Sequence, residues 1–152
     1  MPRTTTKKAA KPRQLSRIEG LYLKHTGSVK GRGVFCTKAI KKGDVLEVTP
    51  ALLLNEDETN TVDDTHLVNY TFVVGDIPAK VKKKAGILQT DNASSVLLGV
   101  MTFCNHDEKP NAEIHWEEED GTVYYSLIAT RDIKKNTEIC TTYGEGWFDD
   151  RA

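Results

Sequence analysis

No stretch of this chain offers the roughly 18 consecutive apolar residues of a membrane-spanning helix, and the N-terminus lacks the apolar segment of a secretory leader. The expectation is a soluble, intracellular protein. Cysteines are few: Cys36, Cys104 and Cys140 lie far apart with no C-x-x-C pair. The histidines His25, His66, His106 and His115 have no metal-ligand spacing either. That argues against a structural zinc, and no metal is expected. Unpaired thiols suit a reducing compartment and a place in the core. Helical periodicity is scarce. Also missing is the third glycine that would make Gly31-Arg32-Gly33 a dinucleotide-binding loop, and a strand-like Val34-Phe35 follows it instead of a helix.

What the chain does have is an uneven distribution of charge. The net charge of −1 over 152 residues conceals a basic first segment, where residues 1–17 hold Arg3, Lys7, Lys8, Lys11, Arg13 and Arg17 and no acid. The remainder carries 15 basic against 22 acidic residues. The first segment, rich in Thr, Ala and Pro, has too little apolar surface to offset its ordering entropy and reads as a disordered basic tail. Its simplest role is solubilising. A nuclear import signal, a nucleic-acid-binding arm or a self-substrate are the sharper alternatives. The acidic body would attract basic peptides in preference to nucleic acid. Residues 18–152 are long enough to bury one core, so a single domain is expected.

The body reads as short strands separated by turns. The segment 44–55 (DVLEVTPALLLN) is expected as two strand pieces bent at Pro50. The polar, acidic 55–65 segment reads as a surface loop, and 66–74 as β-branched and aromatic strand. Apolar 94–103 is either a buried strand or a helical turn or two, and 81–86 (VKKKAG) a solvated edge or turn. Asp120-Gly121 signals a hairpin between the flanking strands, in which Tyr124 and Tyr125 would point one in and one out and Trp116 would pack. The segment 34–48 (VFCTKAIKKGDVLEV) is echoed by 127–141 (LIATRDIKKNTEICT), with Ile40 matching Ile133 and Gly43 matching Asn136. Both copies read as strand, turn and strand, with Gly or Asn supplying a positive φ at the turn. The fold class is mostly β.

The polar run Phe103-Cys104-Asn105-His106-Asp107-Glu108-Lys109-Pro110-Asn111 stands directly behind apolar 94–103 and has no ordinary structural explanation. In order along the chain come Gly31-Arg32-Gly33, then Asn105-His106 with Pro110-Asn111, then Glu138 with Tyr143-Gly144. In these three motifs, and over about residues 18–150, the chain resembles the SET-domain protein-lysine methyltransferases. In length and layout it is similar to the compact viral SET histone methyltransferases, which lack flanking Cys-rich modules. Two positions depart from the usual pattern: Asp107 follows Asn-His, and Thr142 precedes the tyrosine.

The resemblance implies a β-clip of small curved sheets in which the C-terminal segment threads beneath a preceding loop as a pseudoknot. It also implies the cofactor S-adenosyl-L-methionine and transfer of methyl groups to lysine ε-amines, most plainly on histone tails. Gly31, Arg32, Gly33, Asn105, His106, Tyr143, Trp147 and Phe148 would then hold the cofactor, and Tyr143 and Tyr70 would line the lysine channel as catalytic residues. Glu138 reads most simply as an anchor of the thread that pairs with a basic group, and the acidic 117–120 run and Asp149-Asp150 read either as a solvated face or as recruiters of a basic substrate tail. A homodimer and a nuclear or chromatin location are further implications. The alternatives are a catalytically inactive SET module that docks basic peptides, and a methyltransferase for a non-histone basic protein. Methylation of the chain's own Lys7, Lys8 or Lys11 is a narrower possibility.

Overall fold

A computed structural model describes residues 12–74, 77–84, 86–87 and 92–142 of the chain. The hairpin at Asp120-Gly121 joins its two longest fully paired strands, β8 (Ala112–Glu119) and β9 (Thr122–Ala129), in unbroken antiparallel register. Asp120 at φ 56° and Gly121 at φ 81° both lie in the left-handed region that a two-residue hairpin turn requires. Tyr125 points into the core and Tyr124 is half-buried, while Trp116 packs at the core's margin.

β9 pairs in turn with β4 (Val45–Leu54), which runs unbroken through Pro50 and so corrects the expectation of two pieces bent there. The far edge of β4 is shared. β6 (Ser94–Leu97) covers Ala51–Leu54, and the short β1 (Ser16–Arg17) covers Glu47 and Val48. The Pro50 carbonyl accepts from Leu98 N just past β6, so the missing ring N–H falls between the ladder with β6, which begins at Ala51, and that with β1, which ends at Val48. β5 (Thr71–Val73) completes the sheet beyond β6. A second, two-stranded sheet pairs β2 (Leu21–His25) with β3 (Arg32–Cys36), and a third pairs β7 (Asn105–His106) in parallel with β10 (Cys140–Thr141). Val34, Leu46, Met101, Leu127 and Ile139, all fully buried, fill the space between the sheets.

Other expectations need correcting. Residues 56–63 form helix α1 (Glu56–Asp63), not a loop. Asn55 accepts from Glu58 N at 2.9 Å while Glu58 accepts from Asn55 N at 2.9 Å. That capping box, with acids in the first turn, stabilises a helix start which composition alone disguised. The segment 66–70 is a 3-10 turn (His66–Tyr70) begun by Thr65, whose hydroxyl accepts from Leu67 N, and only 71–73 is strand. Residues 79–84 form the short helix α2 (Ala79–Lys84), with Val81 buried, instead of an edge. The apolar 94–103 run is both things expected of it: strand β6, then a 3-10 turn over Val100–Phe103. Residues 13–18 also make contacts with the sheet. β1 lies on β4, Ile18 N donates to Leu46 O, and Arg13 bonds Ser126 and Glu117.

The sequence echo turns out to be a physical contact. Ile40 and Ile133 form an antiparallel bridge, each nitrogen donating to the other's carbonyl at 2.9 and 2.8 Å. Gly43 (φ 89°) and Asn136 (φ 59°) occupy equivalent left-handed turn positions. The two units therefore close on each other as a local pseudo-twofold.

Candidate active site

Three elements distant in sequence meet at Asn105. Its amide nitrogen donates to Arg32 O at 3.1 Å and to Glu138 Oε2 at 2.9 Å, across sequence gaps of 73 and 33 residues. Gly33 makes this junction possible. A β-carbon there would lie 2.7 Å from Glu138 Oε2 and 3.2 Å from Asn105 Nδ2. Glycine is thus demanded by protein packing against protein, and Gly33 is buried away from the cleft described below. Glu138 finds an amide partner in Asn105; no described residue offers it the basic group expected from sequence.

The C-terminal strand is clasped from two sides. On one, Ile139 N donates to Val34 O at 2.8 Å. On the other, the 107–111 loop closes over β10. Asp107 N donates to Thr141 O, Asn111 N to Cys140 O, Asn111 Nδ2 to Glu138 O, and Asn111 Oδ1 accepts from Cys140 N. Asn111 is buried, and all of its side-chain polar atoms serve this clasp. The 103–111 run is polar because it has to satisfy the backbone of the strand it closes over, where a longer sheet partner would otherwise lie.

Beside the junction opens a cleft of about 610 Å³, bordered by Lys30, Gly31, Arg32, Tyr70, Phe103, Asn105 and His106. Gly31 (φ 71°) presents bare backbone here, with nothing within 4 Å of the β-carbon position. Tyr70 ends the His66–Tyr70 turn, its ring 5.6 Å from Phe103 and 5.7 Å from His66, so it forms an aromatic wall and does not belong to a strand. Of the residues expected to serve the site, the structure brings Gly31, Arg32, Asn105, His106 and Tyr70 to one cleft. Tyr143, Trp147, Phe148 and Asp149-Asp150 lie outside the described residues. The acidic run is partly engaged by the chain itself, Glu117 by Arg13 at 3.0 Å and Glu118 by Lys84 at 3.3 Å. The Gly121 amide, then Lys84, holds the Glu118 carboxyl below the usual carboxylate range.

Sequence reading missed Glu47. This carboxylate, 2 % exposed, accepts from Met101 N at 2.8 Å, Val100 N at 3.1 Å and Arg17 Nε at 3.0 Å. It thereby fixes the start of the 3-10 turn that carries Thr102 and Phe103 into the cleft wall. Gly99 is glycine because a β-carbon would sit 2.6 Å from Glu47 Oε1. The available signal was an acid within a largely apolar strand. The three cysteines are free of disulfides and buried. Burial, then Cys140, Glu47 and Glu138, pushes the Cys104 thiol far up, and burial together with Glu138 raises Cys140 to about 12. Neither is a nucleophile at neutral pH. Among the described residues no cluster of three or more His, Cys, Asp or Glu could hold a metal.

Comparison with known proteins gives a consistent result. Residues 31–144 match the family model described as SET domain. The chain is 30% identical, over 81% of its length and 74% of the relative's, to the histone-lysine N-methyltransferase, H3 lysine-37 specific, of Schizosaccharomyces pombe. A candidate histone methyltransferase of Plasmodium falciparum superposes with a TM-score of 0.59 at 25% identity, covering 85% of this chain and 96% of that one. The Neurospora SET domain protein DIM-5, a histone lysine methyltransferase, shares the fold with a TM-score of 0.62 at 22% identity, covering 85% of this chain and 54% of that one.

Proposed function

The chain belongs to the SET-domain family and is a protein-lysine methyltransferase, and from that premise we propose that it transfers methyl groups from S-adenosyl-L-methionine to histone-tail lysines. The observation that carries the reading is the Asn105 amide, which ties the Gly-x-Gly strand to the last motif at the lip of the cleft. Two features support the cofactor. The cleft volume lies within the ~300–1,000 Å³ typical of small-molecule sites. Among the described residues its lining contains no carboxylate and includes Lys30 and Arg32, which suits a ligand with a carboxylate at one end. Gly31, Arg32, Asn105 and His106 would hold it, and Trp147 or Phe148 would stack on its adenine. When bound, it supplies a methyl group activated on a sulfonium sulfur.

The chain's own residues have to present a neutral amine to that methyl. At the reference pKa, about one lysine in 2,500 is neutral at pH 7. The aromatic wall of Tyr70 and Phe103 offers the aliphatic stem a dry surface and disfavours the ammonium, which raises the reactive fraction. Tyr143 is proposed to orient the amine through its hydroxyl, leaving alignment and desolvation to supply most of the acceleration. A histone substrate is supported by the acidic balance of the body and by the activities named for the relatives. A chromatin location follows from the same reading. Among the described residues no helix is long and apolar enough to cross a membrane. A homodimer belongs to the same proposal, and sedimentation velocity decides it.

The test is methyl transfer from radiolabelled cofactor to core histones, comparing the native chain with Tyr143→Phe. Labelling that falls about 100-fold or more in the variant, with cofactor affinity retained, is the expected result. Equal labelling by both would remove Tyr143 from the mechanism. Labelling of basic non-histone proteins alone would replace the substrate.

A further inference from the structure

The bridge between the two echoed units gathers charge that the sequence scatters. Residues 38–44 and 131–135, twelve positions, contain Lys38, Lys41, Lys42, Arg131, Lys134 and Lys135. These are six of the fifteen Lys and Arg that follow residue 17, in a body whose acids outnumber its bases. All six are exposed, whereas Ile40 and Ile133 between them are each 3% exposed. The antiparallel sense of the bridge sets 41–42 alongside 131–132, and the bond from Lys42 N to Asp132 Oδ1 at 2.9 Å fixes that side. On the other side 134–135 lie alongside 38–39. Lys42 thus neighbours Arg131, and Lys135 neighbours Lys38.

Cations gathered around one bridge repel one another, and the buried packing of Ile40 against Ile133 does not require them there. The acids nearby are only partly available. Asp44 accepts from Lys41 N, Asp132 from Lys42 N, and Glu19 pairs with Lys38 at 3.1 Å. Lys41, Lys42, Lys134 and Lys135 form no ion pair among the described residues. Arg131 Nη2 donates to Lys109 O, which brings Glu108 and Lys109, one charge of each sign, to the margin.

We propose that this exposed knuckle, built by the Ile40–Ile133 bridge, docks on the phosphate backbone of duplex nucleic acid. The cations sit on two turns flanking a tight bridge, an arrangement suited to a surface of regularly spaced charge. Duplex DNA carries one negative charge per ~1.7 Å of axis, a density that favours it over an acidic protein segment. Lysines serve phosphates as mobile point charges and need no fixed fork. The contact is independent of sequence and of the methyl-transfer chemistry.

The experiment follows fluorescence anisotropy of a labelled duplex of about 20 base pairs, titrated with full-length protein between about 50 and 200 mM salt. Three variants remove the same net charge: Lys42→Gln/Lys134→Gln/Lys135→Gln in the knuckle, Lys80→Gln/Lys82→Gln/Lys83→Gln on α2, and Lys7→Gln/Lys8→Gln/Lys11→Gln in the first segment. Native protein should bind with a dissociation constant of about 1–100 μM. The knuckle variant should bind about tenfold or more weakly at the lowest salt, with its log–log salt slope shallower by about 2.7. The other two should each lose less than about threefold. Melting curves check the fold, and if the triple variant fails to fold, Lys135→Gln alone should still flatten the slope by about 0.9. The proposal is overturned if native protein does not bind, if the α2 or first-segment variant loses as much as the knuckle variant, or if a polyglutamate peptide competes more tightly than duplex. That last outcome would assign the surface to an acidic protein.

Discussion

Replacing Glu47 tests whether one buried carboxylate supports a wall of the active site. Its two oxygens receive Met101 N, Val100 N and Arg17 Nε. Glu47→Ala removes the acceptor for both backbone donors at the start of the Val100–Phe103 turn. A buried donor left without a partner costs about 1–3 kcal/mol. Met101 is fully buried and belongs at the upper end of that range, while Val100 is half-buried and belongs at the lower. Arg17, whose side chain is 56% exposed, can turn to water and adds little. The expected loss is about 3–5 kcal/mol, out of the ~5–15 kcal/mol that a domain holds in total. Glu47→Gln keeps one acceptor oxygen and the shape, so about 2 kcal/mol is expected. At roughly 2–4 °C per kcal/mol for a chain of this size, Glu47→Ala should lower Tm by about 10 °C. Urea unfolding of the two variants and of Arg17→Ala measures the series. The reasoning fails if Glu47→Ala stays within about 1 kcal/mol of the native protein, or if Arg17→Ala costs as much as Glu47→Ala. Either result would mean that the turn holds without its carboxylate.

Gly33→Ala places a methyl group against a carboxylate already pinned by Asn105, so it should cost about 1–3 kcal/mol and weaken cofactor binding about tenfold or more. Calorimetric titration measures the affinity, and native affinity would contradict the junction. For Cys140, the folded thiol keeps its proton to about pH 12 while the unfolded one releases it near about 8.5. Between those values the folded state binds more protons, so its contribution to stability is complete below about pH 8.5 and is lost as pH rises toward 12. Urea midpoints at about pH 8 and about pH 10.5 should fall more steeply for native protein than for Cys140→Ala, and parallel slopes would refute the assignment.

How much of this was legible beforehand depends on how local each signal is. The hairpin at Asp120-Gly121 and the positive φ at Gly43 and Asn136 are set by a few adjacent residues, and the sequence announced them. Helix α1 was equally local, yet its capping box was overlooked because 55–65 is so polar. Pro50 was misread for the opposite reason. Whether a strand tolerates proline depends on which neighbour faces its nitrogen, and that is decided by where β6 ends. At the site, motif order exposed Asn105, Gly33 and Glu138 as a set. Their relation stayed hidden, since the partner of Glu138 is an amide 33 residues away. Glu47 went unnoticed because its three donors come from segments that meet it only in the folded sheet.

These observations converge on the order in which the site can exist. β2 and β3 pair locally, as do β8 and β9, and both hairpins could form before the rest of the chain is placed. The cleft cannot. Asn105 needs Glu138 to orient its amide, Asn111 needs the backbone of Cys140, and Val34 needs Ile139. Each contact belongs to the last described strand or its approach and closes a loop of 29 residues or more, at an entropic cost that local pairing does not offset. The Ile40–Ile133 bridge belongs to the same non-local set. By joining the two echoed units, it sets the 134–141 segment beside β3, where Ile139 N meets Val34 O. The echo therefore has a structural function in its own right: it delivers the C-terminal strand to the loop that must close over it.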